Sequence, residues 1–273
     1  MAYLDFKGRS IYYDVKGEGK PIVLLNGIMM STKSWEPFVR TLSENNMFIR
    51  VDFFDQGQSD KLVNSAYTQS IQVDVLNYLF KELKPEKVNI VGVSYGGEVA
   101  IQFAIKHPNK VDRLVLFNTT PNTSPWLTEI GYSWNAIGRT RNGQNYYQAS
   151  IPVIYSPSFY EAKLDWMKKR ESILIPVFSN PEFLDAMERL TNSAENYDAR
   201  AELDKITAPT LIVSADEDYL TPIPNQKYLH AHIKDSEYIL IPGAGHAAMY
   251  EKPLLFTTLI LGFVNALDTK YNI

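Results

Sequence analysis

The chain of 273 residues carries 27 Lys and Arg against 31 Asp and Glu, is 45% hydrophobic and contains no Cys. The formal net charge of −4 lacks the basic excess that a nucleic-acid surface requires. Without thiols, disulfides, Cys nucleophiles and thiolate metal sites are excluded, and the length is long for one domain and short for two complete ones. In chain order, residues 3–6 and 10–15 read as two short strands around a turn at Lys7 and Gly8. The apolar run 21–26, bounded by Pro and Gly, suits a strand buried on both faces. Runs of the same type recur at 48–53, 88–93, 114–117, 210–214 and 238–241. Helix-length segments lie between them at 35–43, 68–83, 96–107, 225–232 and 254–267. This alternation predicts an α/β architecture with a mainly parallel sheet and helices on both faces.

The alternation breaks once. Residues 122–200 hold no buried strand but many large aromatics, with short helical patterns at 159–171 and 181–191. A segment of that length is too long for a plain loop and reads as a helical cap on a core built from 1–121 and 201–273. Within it, Trp126, Trp134, Tyr155 and Phe159 are the candidate pocket-lining residues. Lys163, Lys168, Lys169 and Arg170 are interleaved with Glu161, Asp165 and Glu171 and read as a solvated helix face. The first twenty residues have no apolar signal core. No apolar run approaches the ~18 residues of a membrane span, so a soluble, cytoplasmic protein is expected.

The main chemical signal is the run Gly92, Val93, Ser94, Tyr95, Gly96, Gly97. It sits between a predicted strand and a predicted helix, a turn that exposes a Ser hydroxyl at the carboxyl edge of a sheet. A Ser nucleophile needs a base, and the chain has four His. His107 ends the helix that starts at Ser94, which carries it roughly 15 Å or more away. His230 and His232 are spaced i,i+2, which does not share a helical face. His246 follows a buried strand in a Gly-rich loop, at the same sheet edge as Ser94. The base in turn needs a carboxylate, and Asp216, Glu217 and Asp218 all follow the strand at 210–214.

With these residues in chain order Ser, Asp, His, the sequence resembles the α/β-hydrolase superfamily, of the cap-bearing serine esterase, lactonase and thioesterase type. The resemblance implies an eight-stranded, mainly parallel sheet flanked by helices, with a helical cap inserted after the sixth strand. It selects Asp218 as the acid, three residues after the small Ala215 and four before Pro222. Some members carry the acid after the preceding strand, where this chain has Asn118, Thr119 and Thr120. The stretch 52–60 resembles the family's structural strand-exit turn. One departure is Asn26 where the family usually has His before Gly27. The backbone N–H of Ile28 is expected to form the oxyanion hole with that of Tyr95, and Trp35 is expected to pack beneath the loop.

The expected activity is hydrolysis of a small carboxylic ester, lactone or thioester by Ser94, His246 and Asp218. No metal or cofactor is required, and the partner is a small acyl substrate. Two rivals use the same pocket: a ligand receptor with little or no turnover, and carbon–carbon cleavage or perhydrolysis. A Ser at the elbow argues against the dehalogenase and epoxide hydrolase relatives, which need a carboxylate there.

Overall fold

A computed structural model describes residues 2–267; Met1 and residues 268–273 of the expected core segments lie outside them. Strands β1 (Ala2–Phe6) and β2 (Arg9–Lys16) form a hairpin. Its turn residues Lys7 and Gly8 both take positive φ, 56° and 80°, the backbone twist that a two-residue hairpin favours. Strands β3 (Lys20–Leu25), β4 (Asn46–Val51), β5 (Val88–Val93), β6 (Val111–Phe117), β7 (Thr210–Ala215) and β8 (Ser236–Ile241) complete one eight-stranded sheet of order β1-β2-β4-β3-β5-β6-β7-β8. Pairings from β4 onward are parallel, and only β1 with β2 and β2 with β4 are antiparallel.

Every residue of β5 and β7 is buried, as the uninterrupted apolar runs require when both faces are covered. Along β3, Val23 and Leu25 enter one core while Ile22 and Leu24 enter the other, the two-residue period of a strand. Helices α2 (Ser70–Leu83), α3 (Tyr95–Lys106) and α9 (Ile223–His232) contribute to the first core. Helices α1 (Val39–Ser43) and α11 (Pro253–Val264) contribute to the second, with the short α10 (Ala248–Glu251) before α11. The expected helix at 35–43 is split: a 3₁₀ segment Thr32–Phe38 containing Pro37 precedes α1, because proline has no N–H for an α-helical bond.

Between β6 and β7 lie five α-helices, α4 (Pro125–Arg139), α5 (Gly143–Ile154), α6 (Pro157–Ala162), α7 (Leu164–Phe178) and α8 (Pro181–Ser193), followed by a 3₁₀ segment Arg200–Lys205. The expected helix at 159–171 is interrupted at Lys163, which separates α6 from α7. Ser124, Ser156 and Asn180 cap α4, α6 and α8 through their side-chain oxygens, each followed by proline at the first helical position. The two ends of the layer are fastened together. Asn122 bridges Asp198, Thr123 N donates to Tyr197 O at 2.9 Å, and Ala199 N donates to Pro121 O at 2.9 Å.

Candidate active site

Ser94 stands between β5 and α3 with φ 55° and ψ −124°. A non-glycine residue in that region costs on the order of 1–3 kcal/mol and persists only where its surroundings impose it. Here Ser94 N donates to Phe117 O at 3.0 Å, and Ser94 O accepts from Gly97 N and from Thr119 Oγ1 at 2.7 and 2.8 Å. The glycines follow from crowding. A Cβ on Gly96 would stand 2.3 Å from Leu25 O, and one on Gly92 would stand 2.6 Å from the Gly97 Cα.

His246 lies on the loop after β8, and its Nδ1 is 2.8 Å from Asp218 Oδ2. Asp218 is buried on the loop after β7. Its carboxylate also accepts from Asn118 Nδ2 at 2.7 Å, Thr221 Oγ1 at 2.8 Å and the N–H groups of Leu220 and Thr221 at 2.9 and 3.0 Å. Burial alone would raise its pKa. The charge and hydrogen bond of His246, with the bonds from Thr221 and Asn118, hold it below the ordinary value instead. Asp216 has another occupation, accepting from Gly243 N and Ala244 N at 2.7 and 3.3 Å and so shaping the loop that carries His246. Glu217 accepts from Ser158 Oγ of α6 at 3.0 Å.

The loop after β3 approaches from the other side; a Cβ on Gly27 would lie 3.5 Å from the Ser94 Cβ. A buried chain of amides fixes it. Trp35 Nε1 donates to Asn26 Oδ1 at 2.6 Å, Asn26 Nδ2 donates to Gln56 Oε1 at 3.0 Å, and Gln56 Nε2 donates to Gly27 O at 3.2 Å. Asn26 Nδ2 also reaches Val51 O at 2.8 Å, so Asn26 is fully employed where the family usually has His. In a trans peptide the N–H points opposite to the carbonyl. Holding the Gly27 carbonyl inward therefore turns the Ile28 N–H away from the Gln56 side. Among the described residues neither the Ile28 nor the Tyr95 N–H has a hydrogen-bond acceptor, and both residues line the same cavity as Ser94.

That cavity lies between the carboxyl edge of the sheet and the helical layer. Its volume is about 170 Å³. Ser94 and His246 line it, as do Trp134 and Tyr155 from the layer. Two of the expected lining residues do not. Trp126 is 60% exposed, its Nε1 donating outward of the cavity to Tyr219 O at 3.1 Å, and Phe159 packs on Tyr155 and Trp166 behind the wall. In α4 the cavity-lining residues begin at Leu127, one position after Trp126, and no residue of α6 lines the cavity; tertiary packing sets both orientations. The solvated-face reading also fails for Arg170, which lines the cavity.

Several residues at the site escaped the sequence reading. Asn118, at the end of β6, donates to the carboxylate that the neighbouring strand supplies. Glu98, one turn after Ser94, is buried in the cavity wall; desolvation pushes its carboxyl up to about 8, against a hydrogen bond from Gln69. Glu251 accepts from Ser156 N, Ser156 Oγ and Gly245 N at 2.9, 2.6 and 3.1 Å, joining the His246 loop to the helical layer. The sequence signal for Glu251 and Glu98 is a charged residue on an otherwise apolar helix face. Asn118 carries no local signal. The other three His lie elsewhere: His107 against Phe103, His230 bonded to Ser236 and His232 stacked on Tyr228.

Comparison with known proteins agrees with this architecture. The chain is similar over 91% of its length to the pimeloyl-[acyl-carrier protein] methyl ester esterase of Nitrosomonas europaea, with 27% identity and 97% of that protein covered. It is similar in structure to MGS-M2, an alpha/beta hydrolase enzyme from a Medee basin deep-sea metagenome library, with TM-score 0.97, 48% identity and both chains covered completely. The enol-lactonase of Burkholderia xenovorans LB400 shares the fold with TM-score 0.84 at 22% identity, covering 97% of this chain and 100% of that one. The sequence model of the alpha/beta hydrolase fold matches residues 20–253. On that match and on its eight-stranded sheet, the chain belongs to the alpha/beta hydrolase family.

Proposed function

We propose that the chain is a serine hydrolase cleaving a small carboxylic ester, lactone or thioester through an acyl-enzyme on Ser94. One observation carries this reading: Ser94, held at positive φ, lines the cavity that is also lined by His246, whose Nδ1 is bonded to the buried Asp218. Ser94 Oγ attacks the acyl carbon while His246 Nε2 takes its proton. Asp218 holds the imidazole tautomer and stabilises the imidazolium that forms. The N–H groups of Ile28 and Tyr95 receive the tetrahedral oxyanion, where each donor is worth ~2.7–4 kcal/mol in related sites. His246 then protonates the leaving group and activates the water that clears the acyl-enzyme.

Residues 122–200 act as a cap in this reading, with Trp134 and Tyr155 among the walls for an apolar acyl chain. Similarity to a protein named for methyl ester hydrolysis supports the ester class. A panel of aryl esters, lactones and acyl thioesters tests the proposal. Each acyl methylene buried is worth about 0.8 kcal/mol, or roughly fourfold. The ratio kcat/KM is expected to rise from acetyl through butyryl to hexanoyl esters and then level off. A profile that is flat or falls from acetyl upward would contradict the apolar acyl pocket.

A further inference from the structure

The cavity wall contains one cation whose partners are aromatic rather than acidic. Arg170, on α7, packs its guanidinium over two rings, 5.4 Å from the centroid of Trp166 and 4.6 Å from that of Tyr250. Tyr250 is itself fixed by its hydroxyl, which donates to Ser34 O at 3.0 Å. The Arg170 Nε is buried without a hydrogen-bond partner, and no carboxylate among the described residues stands within ion-pair distance of the guanidinium. The nearby acids are engaged. Glu171 takes Gln144 and Lys168, and Glu251 takes Ser156 and Gly245.

Two further acids line the cavity, and neither cancels this charge. Glu98 is kept protonated near neutral pH by burial, with its pKa pushed up to about 8. Glu195 is exposed and accepts the Tyr132 hydroxyl, where solvent and salt screen it. A partly desolvated guanidinium with an unmet donor is costly, and stacking offsets only part of that cost. The Tyr155 hydroxyl also stands against the guanidinium, and a planar carboxylate can accept from the donors that the rings and this hydroxyl leave unmet.

We propose that Arg170 makes the cavity selective for substrates bearing a free carboxylate, which pairs with its guanidinium while the scissile acyl group lies at Ser94. The proposal rests on the hydrolase reading above and names its substrate class: a half-ester, or another acyl compound with one anionic end. The remaining cavity wall is apolar around Ile130, Ile151, Ile154 and Leu174, so the anion and the acyl carbon would be joined by a hydrocarbon spacer.

The test compares isosteric pairs. The first pair is the mono-4-nitrophenyl ester of adipic acid and its ω-carboxamide, with the charge on the acyl side. The second is 4-carboxyphenyl and 4-carbamoylphenyl hexanoate, with the charge on the leaving group. In one of the two pairs the carboxylate is expected to exceed its amide by at least about tenfold in kcat/KM, as a charge-assisted bidentate contact allows. That ratio should collapse to near one in Arg170→Met and survive in part in Arg170→Lys. Carboxylates no better than amides in both pairs, or a preference that persists in Arg170→Met, would overturn the proposal. Calorimetric binding of adipic acid monoamide against adipamide separates this from failure of the hydrolase reading. If no ester is cleaved, tighter binding of the anion that Arg170→Met abolishes still supports the site, and equal binding sinks it.

Discussion

At the scale of single residues, two neighbouring acids show how position divides labour. Asp218 bonds His246, Asn118 and Thr221, whereas Asp216 holds the N–H groups of Gly243 and Ala244. If Asp218 orients the base, Asp218→Asn should lower kcat by about 10³–10⁴-fold. Asp216→Asn keeps an acceptor for the loop and should cost less than about tenfold. Steady-state kinetics on one aryl ester checks the ranking, and the reverse order would move the role to Asp216. Gln56 Nε2 donates to the Gly27 carbonyl, so in the proposed mechanism it acts as a positioning residue for the peptide that carries the Ile28 N–H. Gln56→Leu should reduce kcat by roughly 10–100-fold while KM stays within about threefold, because only the transition state uses the Ile28 N–H fully. It should weaken a trifluoromethyl ketone inhibitor by a similar factor. Loss confined to KM would place Gln56 in substrate binding instead.

At the scale of elements, the helical layer is locked to the core by Arg189 of α8, which holds Asp55 through Nε at 3.0 Å and Nη2 at 2.6 Å. Asp55 sits in the turn after β4, fully buried, with Tyr67 as its second partner at 2.8 Å. Removing one member of a buried pair leaves an uncompensated charge and typically costs about 3–5 kcal/mol. Arg189→Met should therefore lose stability on that order in urea unfolding, and the double variant with Asp55→Asn should lose less than the sum. Additive losses would mean that the two side chains are not coupled.

The same elements show what was legible in the sequence. All eight strands were: β1 and β2 from the turn at Lys7 and Gly8, and the inner strands because a strand covered on both faces must be an unbroken apolar run, as at 21–26 and 88–93; the edge strand β8, expected to be buried, is only partly so. Helices α4 and α5 were not, although Ser124 with Pro125 and Asn142 with Gly143 mark their starts. Aromatic residues dominate that segment and obscure its period. Which aromatics face the cavity depends on how each helix is rotated against its neighbours, and for that reason Trp134 lies on it while Trp126 does not. Asn118 and Asp218 stand a hundred positions apart; only the side-by-side register of β6 and β7 brings them together. Arg170 was hidden among charges that do face solvent, such as Lys168.

At the scale of the whole molecule, the parallel strands carry separate chain segments to one edge of the sheet, the place where ligands bind in open α/β folds. β3 brings Gly27 and Ile28, β5 brings Ser94, β6 brings Asn118, β7 brings Asp218 and β8 brings His246. The helical layer closes over that edge and supplies Trp134, Tyr155 and Arg170 to the cavity. The central claim is that Ser94 is the nucleophile. The most direct measurement is covalent labelling by a fluorophosphonate with peptide mapping, run beside ester turnover on wild type and Ser94→Ala. A single adduct on Ser94, its loss in Ser94→Ala and a fall in kcat of about 10⁴-fold or more are expected. Unimpaired hydrolysis by Ser94→Ala, or an adduct on a different residue that tracks inactivation, would contradict the account.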